Sequence, residues 1–432
     1  MLQSASADGF AREVSMPDFL PYLLIALALL GLLAVVLEEV IHINKAQVVL
    51  FLGAISWVLL FAFSTDDHAH KLVREGLQEN IGEIAGLWLF LLAAMTFVAY
   101  LNKKGLIESL IYRFLPRQIS ERKLLLLTGV FAFVFSSLAD NITATLICVA
   151  LILSLNLPAA KTLRFATVAV FAVNSGGVAM ITGDVTTLMI FLAGKVTIVN
   201  LMLLSLPALL AVLILAVTLS WPLTEHAVIH HKDNELARVD LAIALVFILT
   251  ILSTIAGNVL FDIPPVLSFL TGLSVMFLLA RFYGEDTENH PIMNYIRQIE
   301  FDTLLFFLGI LLLVGSLKEI HALDSFVSVY EHMPAWAANY LMGLLSSVID
   351  NVPLTAALLK ADVDMTLQEW MALTYAVGVG GSLLIIGSAA GIVAMSKIDE
   401  LTFGSYLKFF IALIIAYSIG YSSTLLLGQA IL

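Results

Sequence analysis

Charge is scarce in this chain, and so is cysteine. Asp, Glu, Lys and Arg make up 12% of the 432 residues, about half the share of an ordinary soluble domain. Positive charge is the scarcer sign, with 21 Lys and Arg against 33 Asp and Glu and a net charge of −12. Nucleic acid wants a basic face, so that partner class is excluded. The single cysteine, Cys148, excludes a disulfide framework and a cysteine metal cluster. Its apolar surroundings read as packing. No basic n-region precedes Met16, which argues against a cleaved signal peptide, so 1–16 is expected to be a polar N-terminal tail.

What fills the chain is apolar. Hydrophobic residues are 60% of it and the mean hydropathy is +1.01, against roughly 45–50% apolar in soluble domains. This is the composition of an all-α polytopic membrane protein surrounded by a lipid bilayer. Apolar runs of spanning length fall near 18–37, 46–63, 84–101, 163–195 and 198–221, then near 239–257, 264–283, 301–320, 370–396 and 404–427. The runs at 163–195 and 370–396 are long and interrupted by glycine and small polar residues. A polar linker, 222–238, separates the two sets.

The sets read as copies. Ser136-Ser-Leu-Ala-Asp140-Asn141-Ile-Thr143-Ala-Thr145 returns as Ser346-Ser-Val-Ile-Asp350-Asn351-Val-Pro-Leu-Thr355. Glu83-Ile-Ala-Gly-Leu-Trp-Leu-Phe90 resembles Glu300-Phe-Asp-Thr-Leu-Leu-Phe-Phe307, and Phe171-Ala-Val-Asn-Ser-Gly-Gly177 resembles Tyr375-Ala-Val-Gly-Val-Gly-Gly381. The offsets are 217, 210 and 204, so order is kept with small deletions. The repeats are expected at 17–221 and 239–432, with Asp-Asn segments at 124–155 and 335–359 and broken helices at 163–195 and 370–396.

Each Asp-Asn segment reads either as one long span or as a re-entrant helical hairpin whose tip is Asp-Asn. With hairpins, each repeat crosses five times, an odd number, and the two repeats are inverted, a common transporter design. That arrangement puts 15 of the 21 basic residues on one side, among them Lys45, Lys104, Lys161 and Lys397. The positive-inside rule makes that side cytoplasmic, with both termini outside and the chain in the inner (cell) membrane.

An acid near the bilayer centre costs roughly 2.5–3.5 kcal/mol on insertion scales, so intramembrane acids default to function. Three stand out: Asp140, Asp350 and Asp184. Around them lie oxygen donors suited to a hard cation: Asn141, Thr143, Thr145, Asn174, Ser175, Thr186, Thr187, Asn351, Thr355 and Ser388. Loosened helix backbone at Gly176-Gly177 and Gly183 adds carbonyls. The partner broken helix has Gly378, Gly380, Gly381, Gly387 and Ser388 but no carboxylate, so the site is expected to be asymmetric. The bland alternative for a single Thr or Gly is an i−4 hydrogen bond or close packing. Glu83 and Glu300 begin matched spans and read as structural interface residues. His226, His230 and His231 read as linker residues.

At these residues the chain resembles the NhaD-type sodium/proton antiporters of the Ion Transporter superfamily. The resemblance rests on Ser136 to Thr143, on Asn174-Ser-Gly-Gly177, on Thr182-Gly-Asp184-Val-Thr-Thr187, on Leu304 to Leu311 and on Ser346 to Pro353. It covers about 80–427. The family commonly has Ser-Pro-Ile before Gly-Asp, where this chain has Met180-Ile181-Thr182. The resemblance implies exchange of sodium, or lithium, for protons at the carboxylates, with no cofactor. It also implies a homodimer with a mobile transport part and hairpin tips near the substrate. Two other readings stand beside it: an Ion Transporter permease for an anion such as a dicarboxylate or arsenite, and an intramembrane aspartyl protease. Three acids repel an anion, and the protease's Gly-x-Gly-Asp fails at Ile181.

Overall fold

At both Asp-Asn pairs, and in the glycine-rich stretches after Gly177 and Gly380, the helix stops and a new one starts. The computed structural model describes residues 16–36, 44–106, 118–228, 238–283 and 299–431. The expected tail up to residue 15 and linker residues 229–237, with His230 and His231, lie outside them. The first half runs α1 (Phe19–Val36), α2 (Lys45–Phe63), α3 (Asp67–Lys103), β1 (Gln118–Ser120), α4 (Glu121–Leu138), α5 (Asn141–Ser154), α6 (Ala159–Gly177), α7 (Val185–Leu192) and α8 (Ile198–Ser220). After β2 (His226–Val228) come α9 (Arg238–Phe261), α10 (Pro265–Tyr283), α11 (Phe301–Glu319), α12 (Asp324–His332), α13 (Ala335–Ser346), α14 (Asn351–Lys360), α15 (Leu367–Gly380), α16 (Ala389–Lys397), α17 (Phe403–Leu407) and α18 (Phe410–Ile431). The order of elements in the first half recurs in the second, apart from the short α12 and α17. Among the described residues, seven helices are long and apolar enough to cross a membrane: α2, α3, α8, α9, α10, α11 and α18.

The helices sort into two groups. In the first, α2 packs on α1 and α11, α3 packs on α10 and α11, and α9 packs on α10. The α2–α11 crossing is close because both helices present glycine: a Cβ on Gly53 would fall 2.5 Å from Gly309 O, and one on Gly309 2.4 Å from Leu50 N. The indole N–H of Trp57 donates to Leu312 O at 2.9 Å, and that of Trp88 to Leu304 O at 2.7 Å. In the second group, α4, α6 and α8 pack together, α13 packs on α15, and α18 packs on α8 and α15. The two halves of the chain interlock there: α5 meets α16, α14 meets α7 and α6 meets α15. α14 also lies against α11 of the first group.

Three features depart from the sequence pattern. The span expected at 84–101 is the end of a 37-residue helix, α3, that starts at Asp67. Its charged first half still buries Ala69, Leu72, Val73, Gly76, Asn80 and Ile84 at helical spacing, and Asp66 caps it by accepting from Ala69 N at 2.6 Å. The start of the polar linker is ordered: His226–Val228 pairs antiparallel with Gln118–Ser120. α12, absent from the span reading, lies between α11 and α13 and is too short and too polar to be one.

Candidate functional site

Four helices begin at one place. Asp140 caps α5, Asp184 caps α7, Asp350 caps α14 and Ser388 caps α16. A cap side chain must leave the helical conformation and accept from the first free N–H groups. Asp140 Oδ1 accepts from Thr143 N at 2.8 Å and its Oδ2 from the Thr143 hydroxyl at 2.8 Å. Asp350 Oδ1 accepts from Val352 N and Asp184 Oδ1 from Thr186 N, each at 3.0 Å. Ser388 Oγ accepts from Gly391 N at 3.3 Å and from Asn174 Nδ2 at 3.1 Å. The Asp-Asn pairs and the broken helices are thus one device used four times, three times with Asp and once with Ser.

Asp184 is the centre. Its Oδ2 accepts from Asn141 Nδ2 at 2.9 Å and from Asn351 Nδ2 at 3.1 Å. One carboxylate oxygen, 8% exposed as a residue, is held by both repeated Asn residues. Asn141 is oriented in turn by the Ser136 hydroxyl, which lies 2.7 Å from both Asn141 Oδ1 and Val173 O. Ser346 makes the matching contact with Val377 O at 2.7 Å. The first Ser of each Ser-Ser therefore ties its Asp-Asn segment to the broken helix of the same half. Glycine lets these backbones approach: a Cβ on Gly183 would fall 2.7 Å from Ser136 O, and one on Gly387 2.4 Å from Ser347 O.

These groups face a cavity of about 350 Å³. Asp140, Asn141, Asn174, Asp184, Asp350, Asn351 and Ser388 line it. Its walls also include the first residues of α2 and α11, namely Asn44, Lys45, Asp302 and Thr303. Asp302 is exposed, so the cavity opens there. Asn44 Nδ2 donates to Asp302 Oδ2 at 2.9 Å across the opening. Glu300, one residue before the α11 span, keeps an exposed surface, but loss of water around its carboxyl, and then the nearby charge of Asp140, push that carboxyl up to about 7.

The other expected ligands lie off the wall. Thr143 is spent on Asp140. Thr145 Oγ1 donates to Asn141 O at 2.8 Å, an i−4 bond, and Thr187 Oγ1 to Gly177 O at 3.1 Å. Ser175, Thr186 and Thr355 are buried, and the hydroxyls of Ser175 and Thr355 meet no partner. Asn44, Asp302, Ser136 and Ser346 escaped the sequence reading. The doubled Ser-Ser was the available signal for the last two. Nothing in the sequence marks Asn44 and Asp302 as neighbours across 258 positions.

Residues 20–378 match the family described as "Citrate transporter" (CitMHS). The Na(+)/H(+) antiporter NhaD of Vibrio cholerae is 33% identical, over 91% of this chain and 89% of its own length. NhaD of Vibrio parahaemolyticus is 31% identical over 87% of this chain and 98% of its own. This chain belongs to the CitMHS family, on its NhaD side. Sodium/proton antiporter 1 of Arabidopsis thaliana is 29% identical over 87% of this chain and 68% of its own length. Among solved structures, the YdaH transporter of Alcanivorax borkumensis matches 96% of this chain and 98% of its own at 14% identity, with a TM-score of 0.49. NhaD relatives are named as antiporters, so the family is one of multi-pass membrane transporters rather than of enzymes.

Proposed function

We propose that this NhaD-family chain exchanges sodium, and lithium, for protons across the inner membrane by alternating access, with Asp140, Asp184 and Asp350 as the ion-coupling groups. The observation that carries the reading is the capping of three convergent helix N-termini by carboxylates. Each N-terminus contributes about +0.5 charge, so four contribute about +2, and three ionised carboxylates bring the site to about −1. A site of that charge suits one monovalent cation or one proton. The amides of Asn141 and Asn351, held on Asp184 Oδ2, stand where a cation on that carboxylate would sit. With sodium present, their Oδ1 atoms and the carboxylates supply oxygen ligands. A proton on any one acid cancels the attraction, so the two ions compete, and competition gives exchange if the empty charged site crosses poorly.

The element order supports two repeats, 17–221 and 239–432, which we take to be related by inversion, each with a re-entrant hairpin, 124–155 and 335–359, and with a cytoplasmic linker, 222–238, between the repeats. The mouth at Asn44, Lys45 and Asp302 then faces the cytoplasm, since Lys45 belongs to the basic-rich side, and both termini face outside. The first helix group is the scaffold and the dimer contact. The second, holding every coupling acid, is the moving part. The anion reading suits the citrate description of the family, but it needs uncapped N-termini, which bind anions; here three are filled by Asp. A protease reading lacks glycine at Ile181, and the Pro207-Ala208-Leu209 run lies inside α8, away from the cavity wall.

The test is sodium-driven proton movement in proteoliposomes, compared with lithium, potassium and citrate gradients. Sodium and lithium are expected to move protons. Citrate-driven uptake without proton exchange on sodium addition would replace this reading with the anion one.

A further inference from the structure

The described ion pairs mostly stay inside one helix group. Lys104–Asp240 and Lys318–Glu79 join helices of the first group. Lys161–Glu121 and Lys195–Asp362 join helices of the second. Lys360–Glu83 crosses: Lys360 ends α14 and Glu83 lies in α3. The Lys360 side chain is 9% exposed and Glu83 51%, so the lysine reaches out of the packed helices to a carboxylate that is still partly in water. The pair also stands on the face opposite the cavity mouth. The mouth is at the start of α11, whereas Lys318–Glu79, one turn of α3 from Glu83, is at the end of α11. α14 links the two ends: Asn351 at its start holds Asp184, and Lys360 at its end, about 14 Å away, holds Glu83.

We propose that Glu83 and Lys360 are positioning residues of the transport cycle, latching α14 to α3 on the face opposite the open mouth, so that the site opens to that face only when their ion pair breaks. The proposal rests on the alternating-access reading above. With the pair closed, α14 seals the far face while the mouth at Asn44 and Asp302 is open. Moving the second helix group carries Lys360 away from α3 and removes the seal. Neither residue lines the cavity, so neither is an ion ligand in this state. Glu83 is therefore more than the interface residue that its place at the head of an apolar run suggests.

Two measurements test this in a Cys148→Ala background. In the first, Glu83→Cys and Lys360→Cys are combined and bridged in proteoliposomes by a reducible bis-methanethiosulfonate reagent, whose spacer replaces the reach of the two long side chains. Cross-linking is expected to stop exchange, and reduction to restore it. Exchange at the uncross-linked rate after complete cross-linking overturns the latch. In the second, Thr303→Cys at the mouth is labelled by an impermeant maleimide, alone and with Glu83→Gln or Lys360→Gln. Loss of either partner is expected to slow labelling about 5-fold, because the mouth-open state loses population. The reversed pair, Glu83→Lys with Lys360→Glu, is expected to restore it. Equal labelling in all variants overturns the proposal, as does a slow reversed pair that folds normally by gel filtration. Labelling needs no ion exchange, so it judges the latch even if the Cys148→Ala protein exchanges no sodium, a result that would count against the antiport reading instead.

Discussion

Single atoms separate the three acids. Asp184 holds two amides on one oxygen, Asp140 spends both oxygens on Thr143, and Asp350 caps its helix with one oxygen. Asp140→Asn or Asp350→Asn keeps an oxygen for the cap but cannot carry a proton, so exchange is expected to fall by at least about 100-fold. Asp184→Asn removes the charge that draws the cation inward, and the apparent sodium affinity is expected to weaken by about 10-fold or more. Both are read in proteoliposomes as proton movement against sodium concentration. Near-wild-type exchange in the first two variants would mean that protons travel on other residues. The Ser388 position gives the converse test. Ser388→Asp caps the fourth helix with charge and takes the site to about −2, so tighter sodium binding with slower release, a lower KM and a lower kcat, is the expected pair of changes.

Among the elements, the α2–α11 crossing is the rigid joint. A methyl on Gly309 would meet the backbone of Leu50 rather than a movable side chain. Gly309→Ala is expected to cost about 1–3 kcal/mol, seen as a lower melting temperature in detergent. If the crossing belongs to the scaffold, what activity survives should keep its sodium KM. A raised KM with unchanged melting would place this crossing in the moving part. The broken helices obey a different logic. Their first halves end at Gly177 and Gly380, and their second halves start at the caps Asp184 and Ser388. The unwound turns between them are tolerated because neighbouring hydroxyls and backbone surround them, as with the Thr182 hydroxyl donating to Ser137 O at 2.6 Å.

At the scale of the molecule, charge and orientation are coupled at the mouth. Loss of water and the charge of Asp140 push the Glu300 carboxyl up to about 7. It is neutral below that pH and ionised above it, so the opening beside Asp302 becomes more negative as pH rises. Apparent sodium affinity is therefore expected to improve between pH 6 and pH 8 beyond the gain from proton competition at the site, and Glu300→Gln should remove that extra gain. An unchanged pH profile in Glu300→Gln would assign all of the dependence to the inner acids. The orientation is checked by labelling single cysteines in whole cells: Asp67→Cys should react with an impermeant thiol reagent from outside and Lys104→Cys should not. The opposite pattern would turn the mouth outward.

The sequence by itself determined the class of molecule, the run of apolar helices, the two-fold recurrence of elements and the three acids. Those are set by local physics: hydropathy over a window, helix-breaking residues, and the cost of a carboxylate in an apolar run. Tertiary structure alone decided which acid is central. Asp184 is the unrepeated one, yet Asn141 and Asn351, 43 and 167 positions away, both bond to it. It also decided that Thr145 and Thr187 serve backbone carbonyls, that Asn44 meets Asp302, and that Glu83 has Lys360 as its partner. Such pairings come from how helices far apart in the chain cross, and a periodic apolar pattern gives a helix a buried face without naming its neighbour.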